Sequence, residues 1–174
     1  RFIFLEYFII QRGEMWDSVL KILEEKAAAG VDVRVLYDGM NSFSNLPHDY
    51  PKELEARGVR CRIFNPIRPA ISTSQNNRDH RKITVIDGKV GFTGGYNLAN
   101  EYFNITHPYG HWKDTGIRLE GDAVKSLTVM FLEMWNAVKK TDQDYQKYLP
   151  ETDYPAKQDG FIQPYADSPL DDEH

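Results

Sequence analysis

The N-terminal part of the chain alternates between apolar runs and an amphipathic stretch. Phe2 to Ile10 form a continuous β-prone apolar run, which is expected of a strand covered on both faces. Asp17 or Ser18 can cap a helix whose apolar residues recur on one face, and Gly30 is a stop signal after it. The run from Val31 to Tyr37 then resumes as a strand. This order predicts a βαβ unit with two parallel, neighbouring strands.

The rest of the chain contains shorter elements and one long helix. Asp38 to Ser42 is expected to form a loop at the carboxyl edge of the second strand, where ligands tend to bind in α/β sheets, although a solvated turn is an equally good interpretation. Asn65 to Asn77 contains two prolines and several polar residues, which predicts another loop. The remaining pattern predicts a helix, two strands and a final helix, at Lys52–Arg57, Val59–Phe64, Asp114–Leu119 and Gly121–Lys140.

Two β-prone runs in the middle of the chain flank a strong turn signal. Arg81 to Ile86 and Lys89 to Thr93 are separated by Asp87-Gly88, a dipeptide typical of two-residue hairpin turns. The pattern therefore predicts an antiparallel hairpin. Together with the parallel unit at the N terminus, the hairpin indicates an α/β fold with a mixed, largely buried sheet.

The hairpin brings an unusual pair of side chains onto one face. With a two-residue turn, Lys82 lies opposite Thr93 and His80 lies opposite Gly95. Because side chains alternate between the two faces of a strand, His80 and Lys82 point to the same side and Arg81 to the other. The predicted face therefore carries a possible nucleophile or base beside a fixed cation.

The residues next to this face suit a phosphate group. Gly94 and Gly95 lack Cβ atoms, so a ligand can approach the backbone closely, and Asn97 adds an amide donor. Taken singly, a His-x-Lys pair is usually surface decoration and a Gly-Gly pair is usually a turn. In combination, an imidazole, an ammonium, an amide and open backbone predict a phosphate-binding site.

The spacing of these residues is far more specific than any one of them. It resembles the HKD signature of the phospholipase D superfamily, which here consists of His80, Lys82, Asp87, Gly94, Gly95 and Asn97. The flanking residues 77–82 and 112–115 look like bacterial cardiolipin synthases in particular. Many superfamily members have Gly-Ser where this chain has Gly94-Gly95, which removes a hydroxyl donor to the phosphate.

The resemblance implies a phospholipase D-like α/β/α layered domain and a chemistry for its residues. The related enzymes join two phosphatidylglycerol molecules into cardiolipin and release glycerol. One motif histidine attacks phosphorus to form a phosphohistidine. The histidine of a second motif protonates the leaving alcohol and then deprotonates the incoming one. Lys82 and Asn97 would stabilise charge on the phosphoryl oxygens, and Asp114 matches the acidic residue that contacts His80. Asp87 lies at the distal turn and is interpreted as structural.

Charge and proline content divide the chain into two parts. Residues 1–140 are expected to form a half-domain with one HKD motif. Residues 141–174 hold nine acidic and two basic residues, so they carry −7 and the body +2 of the total charge of −5. Four prolines break up this acidic segment, which predicts a linker, and Gly160 to Leu170 resembles the opening of a second half. The missing second half with its own motif is therefore an expected partner.

The resemblance also implies where the parent enzyme works and what it needs. The parent is expected at the bacterial cell membrane through N-terminal segments that the chain lacks, whereas this fragment is expected to be soluble. No cofactor is expected. The two histidines His107 and His111 lie beside Pro108 and Gly110, which argues against a metal pair, and the single cysteine, Cys61, offers no cluster.

Two alternative functions stay open at this stage. A phosphodiesterase or nuclease of the same superfamily is one, although the weakly basic body makes nucleic acid an unlikely partner. A non-catalytic phosphate-binding module is another, against which the intact motif argues. The aromatic segment from Leu98 to His111 is either a lid at the membrane interface or, more simply, a loop packed onto the core.

Overall fold

The computed structural model describes residues 1–67, 76–151 and 161–165, without the side chains of 41–43. These residues form six strands: β1 Phe2–Tyr7, β2 Asp32–Asp38, β3 Arg60–Phe64, β4 Ile83–Ile86, β5 Val90–Gly94 and β6 Gly116–Glu120. They also form four α-helices: α1 Glu14–Ala28, α2 Gly39–Ser44, α3 Tyr50–Ala56 and α4 Ala123–Val138. Short 3-10 helices lie at Asn100–Phe103 and Gln146–Tyr148. No helix in the described part of the chain has the length and apolar character needed to cross a bilayer.

The six strands form one mixed sheet in the order β3-β2-β1-β4-β5-β6. β1, β2 and β3 are parallel, whereas β4, β5 and β6 add to the sheet in antiparallel pairs. Helices α1 and α3 cover one face through residues such as Trp16 and Leu54, and α4 covers the other face through Phe131 and Trp135. The predicted α/β/α layered fold with a mixed sheet is therefore confirmed.

The hairpin is antiparallel as predicted, but its turn contains three residues instead of two. Ile86 pairs with Val90, so Lys89 belongs to the turn, and the Lys89 backbone N–H donates to the Ile86 carbonyl at 3.0 Å. Asp87 and Gly88 both have positive φ angles, 53° and 65°. Aspartate and glycine tolerate this left-handed region better than other residues, which explains why they start the turn.

The longer turn shifts the predicted register by one residue. Thr93 lies opposite Ile83 and not opposite Lys82. The strand begins only at Ile83, so the predicted pairing of His80 with Gly95 is wrong. Lys82 and His80 are instead positioned by an irregular segment, which must be held in place by other contacts than a strand ladder.

Helix α1 begins earlier than the sequence predicts. Its first residue is Glu14, ahead of the expected caps Asp17 and Ser18. The Met15 backbone N–H donates to the Asn100 side-chain oxygen at 3.0 Å. A residue distant in the sequence thus satisfies a helix N-terminal donor that a local cap would otherwise satisfy.

The predicted loop after β2 is the short helix α2. The side chain of Asp38 starts it by accepting a hydrogen bond from the Met40 backbone N–H at 2.8 Å. A Cβ atom on Gly39 would lie 2.4 Å from the Pro66 backbone, so only glycine fits there. In the predicted loop from Asn65 to Asn77, residues 68–75 lie outside the described residues, as do Gly160 and 166–170 of the expected second-half segment.

The first residues of the acidic segment after α4 pack against the sheet. Arg34, which is 2% exposed, donates from Nη1 to Asp142 at 2.7 Å and from Nη2 to Asp32 at 2.9 Å. The Tyr148 hydroxyl also accepts from Arg34 and donates to Asp142 at 3.0 Å. We call Arg34, Asp32, Asp142 and Tyr148 the Arg34 cluster. It fixes residues 142–148 to the body of the domain.

Candidate active site

The predicted site residues lie at one edge of the sheet. β1 and β2 end at this edge, and β4, which runs antiparallel to β1, begins there. The irregular segment from Arg78 to Lys82 leads into β4. A cleft of about 880 Å³ opens beside it, and His80, Lys82 and Gly94 line this cleft. The structure thus brings the histidine, the lysine and one of the two glycines into a common cavity.

His80 is exposed to this cleft and rests against an aromatic ring. The ring centroids of His80 and Phe8 are 4.9 Å apart, at an interplanar angle of 59°. Partial burial, together with the positive charge of Lys82, lowers the pKa of His80 below its usual value. The imidazole is therefore mainly neutral at pH 7, which is the state that a nucleophile or general base needs.

Lys82 is almost completely buried behind the histidine, at 4% exposure. Its ammonium donates to the His80 carbonyl at 2.6 Å and lies 5.5 Å from the centre of the Phe8 ring. Burial lowers the pKa of Lys82 to about 8, and the carboxylates of Asp79 and Asp114 only partly oppose this. A cation that has lost most of its water binds an incoming phosphate strongly.

A network of carboxylates and arginines holds the segment that carries His80 and Lys82. The Asp79 backbone N–H donates to Asp38 Oδ2 at 2.9 Å, and Arg78 pairs with Asp38 Oδ1 at 3.1 Å. Asp79 Oδ1 accepts from the Arg81 backbone N–H at 3.2 Å and from its Nε at 3.0 Å. We call Asp38, Arg78, Asp79 and Arg81, with the neighbouring Glu6, the Glu6 cluster. It replaces the missing strand ladder on either side of His80.

Asn97 is buried and joins the loop after β5 to the end of β1. Its side-chain oxygen accepts from the Ile9 backbone N–H at 2.9 Å, and its amide hydrogen-bonds the Tyr102 hydroxyl. Ile9 directly follows Phe8, the ring that contacts both His80 and Lys82. Asn97 therefore anchors the aromatic wall of the site.

The two glycines contact the protein itself. A Cβ atom on Gly94 would lie 2.6 Å from the Thr115 carbonyl oxygen, and one on Gly95 would lie 2.4 Å from Asp114 Oδ1. The side on which a Cβ atom would stand is thus occupied at both glycines by the residues that lead into β6, whereas the backbone of Gly94 still lines the cleft. Asp114 accepts hydrogen bonds from Trp112 Nε1 at 3.1 Å and from the Thr115 backbone N–H at 2.7 Å, and it makes none to His80.

Asp87 lies at the other end of β4 from His80. Its Oδ1 accepts from the Phe2 backbone N–H at 2.6 Å, and its own N–H donates to the Phe2 carbonyl at 2.9 Å. These two hydrogen bonds extend the pairing of β1 past the end of the ladder. The contacts are those of a structural residue and not of one that reaches the cleft.

The aromatic segment after Asn97 packs on itself. Tyr102 and Trp112 make an edge-to-face contact at 4.6 Å between ring centroids, and Phe103 lies 5.9 Å from Tyr96. Tyr109 is the exception, at 78% exposure. The triplet His111-Trp112-Lys113 repeats the His-x-Lys spacing, but its charged residues are exposed in the loop before β6 and the rest of the signature does not follow them.

The sequence patterns did not identify Phe8 or Glu6 as part of the site, and they included Asp38 only in a possible ligand-binding loop and Asp79 only in the flank of the motif. Two of these had a visible signal. Glu6 interrupts an otherwise apolar strand, and Asp38 ends a strand at the edge where ligands bind in α/β sheets. Buried charges in such positions are rare unless they are paired, and they therefore point to a site.

Comparison with known proteins relates the chain to one protein family and to several longer bacterial proteins. The family described as "Cardiolipin synthase, PLD-like domain" matches residues 3–135. An uncharacterized protein of Streptococcus mutans is 52% identical over 99% of this chain and 37% of its own length. A cardiolipin synthase of Alkalihalophilus pseudofirmus is 39% identical over 96% of this chain and 33% of its own length. The chain thus spans about a third of the length of these relatives.

A solved structure supports the fold independently. Nuc from Salmonella typhimurium, a phospholipase D family member, superposes with a TM-score of 0.56, covers 78% of each chain and shares 14% sequence identity. At that identity the likeness concerns the fold alone. With the match over residues 3–135, it leads to one conclusion: the chain belongs to the phospholipase D-like domain family of cardiolipin synthases.

Proposed function

We propose that this chain is one catalytic half of a membrane-associated phosphatidyl transferase that converts two phosphatidylglycerol molecules into cardiolipin and glycerol. The observation that carries the proposal is the exposed, mainly neutral imidazole of His80 above the buried ammonium of Lys82. This pair places a nucleophile or proton carrier beside a cation fixed for a phosphoryl oxygen. The cardiolipin synthases among the relatives supply the substrate class.

The reaction divides into two balanced steps. One motif histidine forms a bond to phosphorus while the phosphorus–oxygen bond to glycerol breaks, and the histidine of the second motif gives the leaving glycerol its proton. A hydroxyl of the second phosphatidylglycerol then attacks phosphorus, loses its proton to that second histidine and displaces the first. His80 takes one of these two roles. Lys82 and the Asn97 amide stabilise the negative charge on the phosphoryl oxygens.

The cleft has a composition that fits a phospholipid. Its lining includes the basic residues Arg78, His80 and Lys82 and also apolar side chains, among them Met130 and Met134 of α4. A phosphate bound at the basic residues would leave the glycerol and acyl parts of a lipid within the same partly apolar cleft. This arrangement supports a phospholipid substrate over a free, fully polar phosphate ester.

The test uses the full-length protein that carries this chain, in vesicles that contain phosphatidylglycerol. His80→Ala should reduce cardiolipin formation by about 10²–10⁴-fold, the usual contribution of a positioned acid or base. His107→Ala is the matched control, because His107 is an exposed histidine outside the motif. If His80→Ala retains activity within a few fold of the His107→Ala control, the proposal is wrong.

The 174-residue chain alone should bind phosphate but not turn over as a monomer, because attack and protonation of the leaving group occur on opposite sides of phosphorus. A symmetric dimer could supply the second histidine. A headgroup-exchange assay across protein concentrations separates these cases. Activity that rises with dimer formation keeps the two-histidine chemistry, whereas activity proportional to monomer would overturn it.

A further inference from the structure

The Glu6 cluster contains an acid that neither the motif nor the proposed reaction uses. Glu6 is 0% exposed, and neither of its carboxyl oxygens accepts a hydrogen bond from any of the described residues. Its nearest cation is Arg81, whose Nε lies 2.7 Å from Oε1 without the geometry of a hydrogen bond. A buried carboxylate with so little compensation is unfavourable, because a charge removed from water needs donors or an opposite charge to replace its hydration.

Asp79 also has a buried carboxyl oxygen without a hydrogen-bond donor in the described part of the chain. Asp79 Oδ1 is occupied by Arg81, but Asp79 Oδ2 is buried and has no hydrogen-bond donor among the described residues. Glu6 and Asp79 therefore both contact the same Arg81 Nε, and both present oxygens without a donor. Two carboxyl groups in this arrangement satisfy each other when one of them keeps its proton and donates it to the other.

We propose that Glu6 is a neutral carboxylic acid that donates a hydrogen bond to Asp79 and thereby positions the His80–Lys82 segment without neutralising Lys82. The chain of contacts runs from Glu6 to Asp79, from Asp79 Oδ1 to Arg81, and from the Asp79 backbone N–H to Asp38. Asp79 directly precedes His80. Glu6 is thus a positioning residue, which acts on the histidine and lysine through the backbone of residue 79.

The balance of charges explains why the proton matters. Asp38 pairs with Arg78, and Asp79 pairs with Arg81. With Glu6 neutral, these two pairs cancel and the ammonium of Lys82 remains available to an anionic phosphate. If Glu6 were ionised, it would add a negative charge that competes with the substrate for that ammonium.

The titration behaviour of Glu6 agrees with this assignment. Burial, reinforced by the negative charge of Asp79, raises the pKa of Glu6 well above its usual value, and the charge of Arg81 opposes the increase only in part. The strands on either side of β1 present no other titratable group at this level, because Glu6 is paired with Leu36 of β2 and Ile83 of β4. Asp79 and Arg81 are the groups that face it.

The inference deepens the proposed function at the same site, but its first test needs neither substrate nor turnover. NMR of the chain with ¹³C-labelled glutamate carboxyls can follow Glu6, and the signal lost in Glu6→Gln assigns it. At pH 7 the Glu6 signal should have the chemical shift of a protonated acid and not that of a carboxylate. An ionised Glu6 at pH 7 would overturn the proposal, whatever reaction the enzyme catalyses.

A second test asks whether Glu6 acts by charge or by position. If Glu6 is neutral, Glu6→Gln should leave the titration midpoint of Lys82 where it is, because no charge is lost. Asp79→Asn is the matched comparison and should lower that midpoint by about one unit, because the Asp79 carboxylate opposes the lowering that burial imposes. An equal decrease in both variants would contradict a neutral Glu6.

The positioning role has its own readout. Glu6→Leu removes the hydrogen bond to Asp79 at similar volume, and it should weaken the binding of inorganic phosphate to the chain by about tenfold or more, as the loss of one buried hydrogen bond predicts. Glu6→Gln can still donate to Asp79 and should restore binding to within about twofold of the wild type. Equal losses in the two variants would show that Glu6 does not work as a donor.

Discussion

Two buried ionic clusters lie on the same sheet, and they shift the pKa values of their carboxyl groups in opposite directions. In the Arg34 cluster, burial alone would raise the pKa of Asp142, but hydrogen bonds from Arg34, Tyr148 and Thr141 outweigh it and hold that pKa well below its usual range. In the Glu6 cluster, burial and a second carboxylate raise the pKa of Glu6. One cluster stabilises charge, and the other stores a proton.

This difference indicates that the Arg34 cluster stabilises the fold, whereas the Glu6 cluster supports the candidate site. Arg34 makes hydrogen bonds to two carboxylates and one hydroxyl, and aromatic rings such as Phe4 and Trp135 flank its guanidinium. The Glu6 cluster leaves buried acid oxygens without ordinary donors next to an exposed histidine. Places where a fold breaks its own packing rules are expected to be functional.

The largest effect should follow from breaking the Arg34 cluster. Arg34→Met leaves the buried Asp142 without its closest cation, whereas Asp32 keeps its pair with Arg60, so we expect a loss of about 3–5 kcal/mol in the free energy of unfolding. Arg118→Ala is the control, because its pair with Glu120 is exposed and its loss should stay within about 0.5 kcal/mol. Urea denaturation measures both. A loss below about 1 kcal/mol for Arg34→Met would mean that the two clusters do not differ in kind.

The next effect should have the opposite sign. Lys82→Met removes a charge that the fold buries at a cost, as the lowered pKa of Lys82 shows, and it should raise stability at pH 7 by about 1–3 kcal/mol. The same variant should lose most of its phosphate affinity. Destabilisation by Lys82→Met would show that the lysine is a structural residue.

The two clusters should also differ in how stability depends on pH. The folded pKa of Asp142 is lowered, so its contribution is present above about 3.8 and is lost as the pH falls through the folded value. The folded pKa of Glu6 is raised, so its contribution is present below about 4.3 and is lost as the pH rises through the folded value.

Two variants make this contrast measurable. Relative to the wild type, Asp142→Asn should lose the most stability at neutral pH and less in acid, whereas Glu6→Gln should gain stability as the pH increases above about 4.3. Each group can contribute at most about 1.4 kcal/mol per pH unit. Parallel curves for the two variants would remove the distinction between the clusters.

The smallest effect concerns Asp87. Asp87→Ala removes the hydrogen bond to the Phe2 backbone N–H and places alanine at a positive φ, which should cost about 1–2 kcal/mol. Asp87→Asn keeps the acceptor and tolerates the backbone angle, so it should lower the free energy of unfolding by only about a few tenths of a kcal/mol. Phosphate affinity should equal that of the wild type in both variants, and a loss of affinity in both, including the stable Asp87→Asn, would mean that the carboxylate serves the site.

Local patterns predicted the order of elements well, because each strand and helix is specified by its own neighbours. The continuous apolar run at Phe2 and the Asp87-Gly88 turn signal were enough for the parallel unit and the hairpin. The predicted ends and registers of the elements were wrong where residues distant in the sequence determine them. Asn100 supplies the acceptor for the Met15 backbone N–H at the start of α1, and the turn that is one residue longer than expected is tied to Phe2 through the Asp87 carboxylate.

The sequence predicted the reactive groups of the site but not the residues that hold them in place. His80 and Lys82 stand out by chemical type, so a linear motif can find them. Glu6, Asp38 and Asp79 act only because three separate stretches of chain meet at one edge of the sheet. No spacing rule connects residues 6, 38 and 79, and only the folded backbone brings them together.

The most direct test of the account is the titration of Lys82 in the chain with and without inorganic phosphate, followed by NMR of ¹³Cε-labelled lysine. Without phosphate the midpoint should lie at about 8, below the value of about 10.4 for a lysine in a model peptide, and saturating phosphate should raise it because the bound anion stabilises the ammonium. His80→Ala should keep the low midpoint. A Lys82 midpoint near the model-peptide value, or one that does not change with phosphate, would contradict a buried cation prepared for a phosphoryl group.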